Sequence, residues 1–169
     1  SLINAMTDAG VLVEDALFAT LDPSTRRATL ADGRNVVLTD TVGFVRHLPT
    51  QLVEAFKSTL EEVSNADLLL HVVDGADEFP LKQIAAVSEV LAEITRDKDS
   101  ELPPEIVVVN KIDSADPVVL AELRHVFDAT GREAVFVSAL TGEGIAELEG
   151  KIEMFLNTLD EHVVMLIPY

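Results

Sequence analysis

Three short clusters carry residue types suited to work on a phosphate and a purine. The first is Asp40-Thr41-Val42-Gly43. A carboxylate there can hold a Mg2+ ion through water, and a glycine three places on lets a backbone N–H approach a terminal phosphate. The second is Asn110-Lys111-Ile112-Asp113. The Asp113 carboxylate can accept two parallel hydrogen bonds from N1–H and the exocyclic amine of guanine, a pair that adenine does not offer. The Asn110 amide can tie neighbouring loops together, and the aliphatic stem of Lys111 can cover the face of a base. The third is Ser138-Ala139-Leu140, where a backbone N–H can bond guanine O6.

Alone, D-x-x-G also describes an ordinary strand-to-loop turn. N-K-x-D also fits a polar turn with a surface lysine, and S-A-L a plain helix entry. Order and placement change the weighing. Asn110 follows Asp40 by 70 residues, and Ser138 follows Asn110 by 28. Each cluster ends an apolar stretch that reads as a strand, and ligands in open α/β sheets bind beyond the carboxyl ends of the strands.

The elements that must position these clusters alternate between strand and helix. Residues 1–7 read as the end of a helix, and 8–25 as a long exposed loop. Thr25 to Leu30 and Asn35 to Thr41 form a β-hairpin around Ala31-Asp32-Gly33. Val36-Val37-Leu38 makes the second strand the more buried one. A helix starts near Pro49 and carries Leu52, Phe56, Leu60 and Val63 on one face. Leu68 to Val73 reads as a strand covered on both sides. Ile84, Val87, Leu91 and Ile94 mark a helix, and Ile106 to Val109 a strand. Asp116-Pro117 caps a helix with Leu120, Leu123 and Phe127. Ala134 to Val137 is a strand, and Ile145, Leu148, Ile152, Phe155 and Leu159 give a last amphipathic helix. The pattern predicts an α/β fold with helices on both faces of a mostly parallel sheet and one antiparallel edge strand.

The bulk numbers agree with one domain. The chain has 169 residues, 48% of them hydrophobic, so it has the material for a core. There are no cysteines, which removes disulfides, thiolate metal sites and cysteine nucleophiles. No apolar run is long enough to span a bilayer, and no secretion leader is visible. The net charge is −18, which repels phosphate backbones at long range, so tight nucleic-acid binding by this segment, DNA included, is not expected. Peripheral membrane association is left open. His47, His71, His125 and His162 lack metal-ligand spacing and read as structural or surface residues.

Taken together, the clusters resemble the translation-factor-related GTPases, and most closely the HflX family. Leu17-Phe18-Ala19-Thr20-Leu21-Asp22-Pro23-Ser24-Thr25-Arg26-Arg27 is similar to that family's first switch, Asp40-Thr41-Val42-Gly43-Phe44-Val45 to its second, and Leu52 to Val63 to the helix that follows. The resemblance covers about residues 1–160. It implies a three-layer, Ras-like P-loop GTPase fold, with 1–160 as the G domain and 161–169 as a strand leading into a C-terminal segment. By the resemblance, Phe18, Ala19, Thr20, Leu21 and Asp22 line the nucleotide. Thr20 ligates Mg2+ together with Asp40, and Thr20 and Gly43 serve catalysis at the γ-phosphate. Thr25 competes with Thr20 for that role, and Thr20 is preferred because it holds the matching place in F-A-T-L-D. The implied activity is a Mg2+-dependent hydrolysis of GTP to GDP in a cytoplasmic switch on the large ribosomal subunit.

Two departures stand out. Many GTPases place a glutamine after D-x-x-G to orient the attacking water, whereas this chain has Phe44. The resemblance extends to that hydrophobic replacement and implies slow intrinsic hydrolysis, accelerated by a large partner. The chain also contains no G-x-x-x-x-G-K-[ST]. In similar proteins the stretch matching Ser1-Leu2-Ile3-Asn4 follows directly on that loop, so the first strand and P-loop are expected upstream. Hydrogen bonds to charged groups contribute about 1.5–3 kcal/mol each, so lacking four removes on the order of 6–12 kcal/mol. At about 1.4 kcal/mol per tenfold, these residues alone are not expected to bind nucleotide. Two rivals remain at this point. One is a degenerate G domain that only docks, and the other is an ATP-dependent enzyme on the same fold.

Overall fold

A computed structural model describes residues 2–7, 24–40, 66–98 and 102–160. The elements are α1 (Leu2–Thr7), β1 (Ser24–Thr29), β2 (Asn35–Asp40), β3 (Leu69–Asp74), α2 (Pro80–Lys98), β4 (Glu105–Asn110), α3 (Pro117–Thr130), β5 (Ala134–Phe136) and α4 (Ile145–Asp160). The segment expected as a helix from Pro49 and the expected strand 163–167 lie outside the described residues.

β3, β4 and β5 form a parallel sheet in that order, with β4 central. The pairings set Val73 beside Val109 and Val109 beside Phe136. Successive β4 side chains point to opposite faces, and both faces are packed. Ile106 and Val108 join Val135, Val137, Leu148 and Ile152 on one side. Val107 and Val109 join Val73, Ile84, Leu123, Phe127 and Phe136 on the other. The first layer is sealed by α4, by Leu2 and Met6 of α1, and by Leu30, Val36 and Leu38 of the hairpin. The second is sealed by α2 and α3.

Local signals place the helices. The Asp116 side chain accepts the Val118 N–H at 2.8 Å, with Pro117 in the first turn. Gly131, at φ 66°, ends α3 in the left-handed conformation that a side chain disfavours. α4 buries Leu148 and Ile152, one turn apart on one face.

The expected α/β fold is present as a parallel sheet and an antiparallel pair; among the described residues the pair is not hydrogen-bonded to the β3–β4–β5 sheet. Two expectations meet a different outcome. β2 is not the more buried strand: Val37 is 62% exposed, while Ala28 of β1 is buried. Strand alternation sends Val36 and Leu38 inward and turns Val37, between them, to the other face. β3 is covered less than its apolar run suggested, with Val72 49% exposed. Among the described residues it is an edge strand of its sheet, so only part of it is enclosed. Among the described residues no helix is long and apolar enough to cross a membrane.

The hairpin tip fixes how β2 is aimed. Asp32 accepts the Arg34 backbone N–H at 3.0 Å and its Nε–H at 2.6 Å. That guanidinium also donates to the Glu153 carbonyl at 3.3 Å and to Asn157 Oδ1 at 2.7 Å, while the Asp32 N–H donates to Glu153 Oε1 at 3.0 Å. Glu153 lies about 12 Å along the helix axis from Ile145. The tip is therefore bonded to the half of α4 that is remote from Ser138, and β2 runs back over about 17 Å.

Candidate functional site

The loops after β4 and β5 are joined by side chains that reach backbone groups. Asn110 Oδ1 accepts the Lys111 N–H at 2.8 Å and the Ala139 N–H at 3.0 Å. One amide thus ties the N-K-x-D loop to the S-A-L loop, as its type and place suggested. Ile112 N–H donates to the Val137 carbonyl at 3.2 Å and strengthens the join. Ser138 is fully buried. Its hydroxyl donates to Asp113 Oδ1 at 2.5 Å and accepts the Thr141 N–H at 3.1 Å. Asp113 is thereby held at the mouth of the sheet, exposed to solvent and ready to accept. Burying the serine and exposing the carboxylate is the arrangement that aims a charged acceptor at a ligand.

Lys111 is the one non-glycine residue at positive φ, 66°, among the described residues. A left-handed non-glycine residue costs about 1–2 kcal/mol, so its surroundings must hold it. Its N–H goes to Asn110, and its carbonyl accepts the Ser114 N–H at 3.1 Å. Its Nζ donates to Asp74 Oδ2 at 2.7 Å. The kink sends Lys111 toward β3 and Asp113 toward β5. Those flanking strands lie about 10 Å apart, two strand spacings, which leaves a slot between the two side chains.

The sites marked in the sequence thus divide into three groups. Asn110, Lys111, Asp113, Ser138 and Ala139 are brought together by direct hydrogen bonds. Leu140 borders them, 84% exposed. Asp40 ends β2, the strand that leaves the tip bonded to α4. Phe18, Ala19, Thr20, Leu21, Asp22, Thr41, Val42, Gly43 and Phe44 lie outside the described residues. Among the described residues no cluster of three or more metal-ligating side chains forms.

The sequence reading passed over Asp74-Gly75. Gly75 donates its N–H to the Asn110 carbonyl at 2.7 Å, and a Cβ there would lie 2.9 Å from that oxygen and 2.9 Å from Val109 Cγ1. The signal was present in the sequence: an apolar strand that ends on an acid followed by a glycine, at the ligand-binding edge of the sheet. His71 proves structural. Its Nδ1–H donates to Glu105 Oε1 at 2.7 Å, remote from the Asn110 corner.

The family model described as "50S ribosome-binding GTPase" matches residues 1–111. The chain belongs to the HflX-type GTPases of that family. It is 44% identical over 170 residues to the GTPase HflX of Lacrimispora saccharolytica, covering all of this chain and 38% of that protein. It is 43% identical over 169 residues to the GTPase HflX of Escherichia coli, covering 99% of this chain and 38% of that protein. Among solved structures, SsGBP in complex with GDP matches with a TM-score of 0.72 at 26% identity, over 94% of this chain and 46% of that one. The chain therefore spans less than two fifths of the curated HflX relatives it matches. Its α/β architecture, a parallel sheet plus an antiparallel pair, is that of the P-loop GTPases.

Proposed function

We propose that this chain forms most of a G domain that binds GTP and, with Mg2+, hydrolyses it to GDP as a switch on the large ribosomal subunit in the cytoplasm. The observation that carries this is the exposed Asp113 carboxylate, held by Ser138 in a loop that Asn110 locks to Ala139. Asp113 accepts from the guanine N1–H and amine. The Leu140 N–H has no acceptor among the described residues, which leaves it to donate to guanine O6. Ala139, whose N–H is engaged by Asn110, shapes the same turn, and the Lys111 stem covers the ring.

Asp40 and Thr20 offer hard oxygen donors of the kind Mg2+ takes. When bound, the ion offsets charge that develops on the phosphate oxygens. Phe18, Ala19, Thr20, Leu21, Asp22, Thr41, Val42 and Gly43 contact the nucleotide. Gly43 offers a backbone N–H to the γ-phosphate with no side chain in the way. Because Phe44 neither donates to nor accepts from water, hydrolysis by the free protein is slow. Positioning by a large partner raises the rate. A single-turnover assay of the full-length protein showing fast hydrolysis without a partner would overturn that part. The ribosomal assignment draws on the matching family, described as a 50S ribosome-binding GTPase, and the base assignment on GDP in SsGBP.

Two measurements test the reading. GTP titrated into this segment, beside a version extended upstream through a phosphate-binding loop, is expected to bind only the longer protein. Binding by neither would favour a docking module. In the longer protein, Asp113→Asn is expected to shift preference from guanine toward xanthine nucleotides. Two charge-assisted bonds contribute about 3–6 kcal/mol, so GTP affinity falls about a hundredfold or more. An unaltered guanine preference would sink the base-reading role.

A further inference from the structure

Asp74 divides its carboxylate between two loops. Oδ1 accepts the Ala76 N–H at 3.0 Å, shaping the turn after β3. Oδ2 accepts from Lys111 Nζ at 2.7 Å, across the end of the sheet. The next residue, Gly75, donates its N–H to the carbonyl of Asn110, immediately before Lys111. The end of β3 is therefore fastened to the N-K-x-D loop twice, once by backbone and once by charge. The lysine and aspartate side chains are 58% and 37% exposed, and exposed pairs add little to folding. What the pair does is fix the direction of a side chain with four rotatable bonds, attached to a backbone already held at φ 66°.

We propose that Asp74 is a positioning residue for the nucleotide. It holds the methylene stem of Lys111 along one side of the slot, while Ser138 holds Asp113 at the other. The base then meets a stem that is already ordered, and Asp74 itself does not touch it. This rests on the guanine reading above. Ordering one rotamer-rich side chain corresponds to about three- to tenfold in affinity.

The test uses the full-length protein, a fluorescent GDP analogue and steady-state GTP hydrolysis. Asp74→Asn is expected to raise the Kd for GDP and the KM for GTP about three- to tenfold, leave kcat within about twofold, and leave the thermal midpoint in place. Asp74→Glu is expected to recover part of the loss. In a Lys111→Met background, Asp74→Asn is expected to add nothing, because its effect runs through the ammonium group. A purely structural role would lower kcat and the thermal midpoint together and would persist in that background. Wild-type affinity in Asp74→Asn, or an undiminished penalty beside Lys111→Met, overturns the positioning role alone. A full-length wild type that binds no guanine nucleotide overturns the guanine reading and this role with it. If Asp74→Asn does not fold, the Lys111→Met and Asp74→Glu affinities still decide: both equal to wild type would overturn it.

Discussion

Glu105 and Asp113, acids at opposite ends of the β3–β4–β5 sheet, are met differently. Where the strands begin, Glu105 is met by the imidazole of His71 at 2.7 Å and by the guanidinium of Arg132 at 2.7 Å. Where they finish, Asp113 is met by one hydroxyl and no basic side chain among the described residues. The matched acid is a fastening, and Asp113 keeps acceptor capacity that no basic side chain among the described residues takes up. The hydrogen bond from His71, with help from Arg132, holds Glu105 below its ordinary value of 4.5, although partial burial pushes the other way. A carboxylate satisfied in that way has little left to offer a ligand.

Substitutions at the two ends test this contrast, and the largest effect belongs to the turn that presents Ser138. Gly144 sits at φ 75°, and a Cβ there would overlap the Phe136 carbonyl oxygen. Gly144→Ala is expected to destabilise the full-length protein by about 2–4 kcal/mol, from left-handed strain and overpacking together. Urea unfolding measures it, and a loss under about 1 kcal/mol would mean that the turn yields easily. Next comes Ser138→Ala, which removes the bonds to Asp113 and from Thr141. Stability is expected to fall by about 1 kcal/mol and GTP affinity by about tenfold, as read by calorimetry. A change in stability alone would place Ser138 with the fastenings rather than with the site.

Glu105→Gln probes the other end. The folded protein holds this proton less tightly than the unfolded chain does. The contribution is therefore present above about pH 4.5 and is lost as pH falls through the lower folded value. Glu105→Gln is expected to cost about 1 kcal/mol at neutral pH, with the gap from wild type closing in acid and nucleotide affinity unaltered. A gap that stays constant with pH would show that packing, not charge, is lost. The smallest effect is expected from Arg34→Ala: faster amide exchange at Leu30 and Gly33, with the global thermal midpoint scarcely moved.

Much of this was legible because the signals are local. The Asp116-Pro117 cap, the one-turn spacing of Leu148 and Ile152, and each of the N-K-x-D and S-A-L clusters lie within a few residues. The Asn110 tie could be anticipated because an amide at a strand end has few other uses. The missed features arise from register between distant strands. His71 and Glu105 are 34 residues apart, and Asp74 and Lys111 are 37 apart. No local spacing announces such pairs. Val37 misled because a run of three apolar residues says nothing about which face of a strand the middle one takes.

The hairpin has one last consequence. In its ladder Ser24 faces Asp40, so the first and last residues of the hairpin lie side by side. Its opposite end is pinned to α4 through Arg34, Asp32, Glu153 and Asn157. The hairpin is thus held at its tip by the second half of α4, while its two ends, Ser24 and Asp40, stay paired with each other.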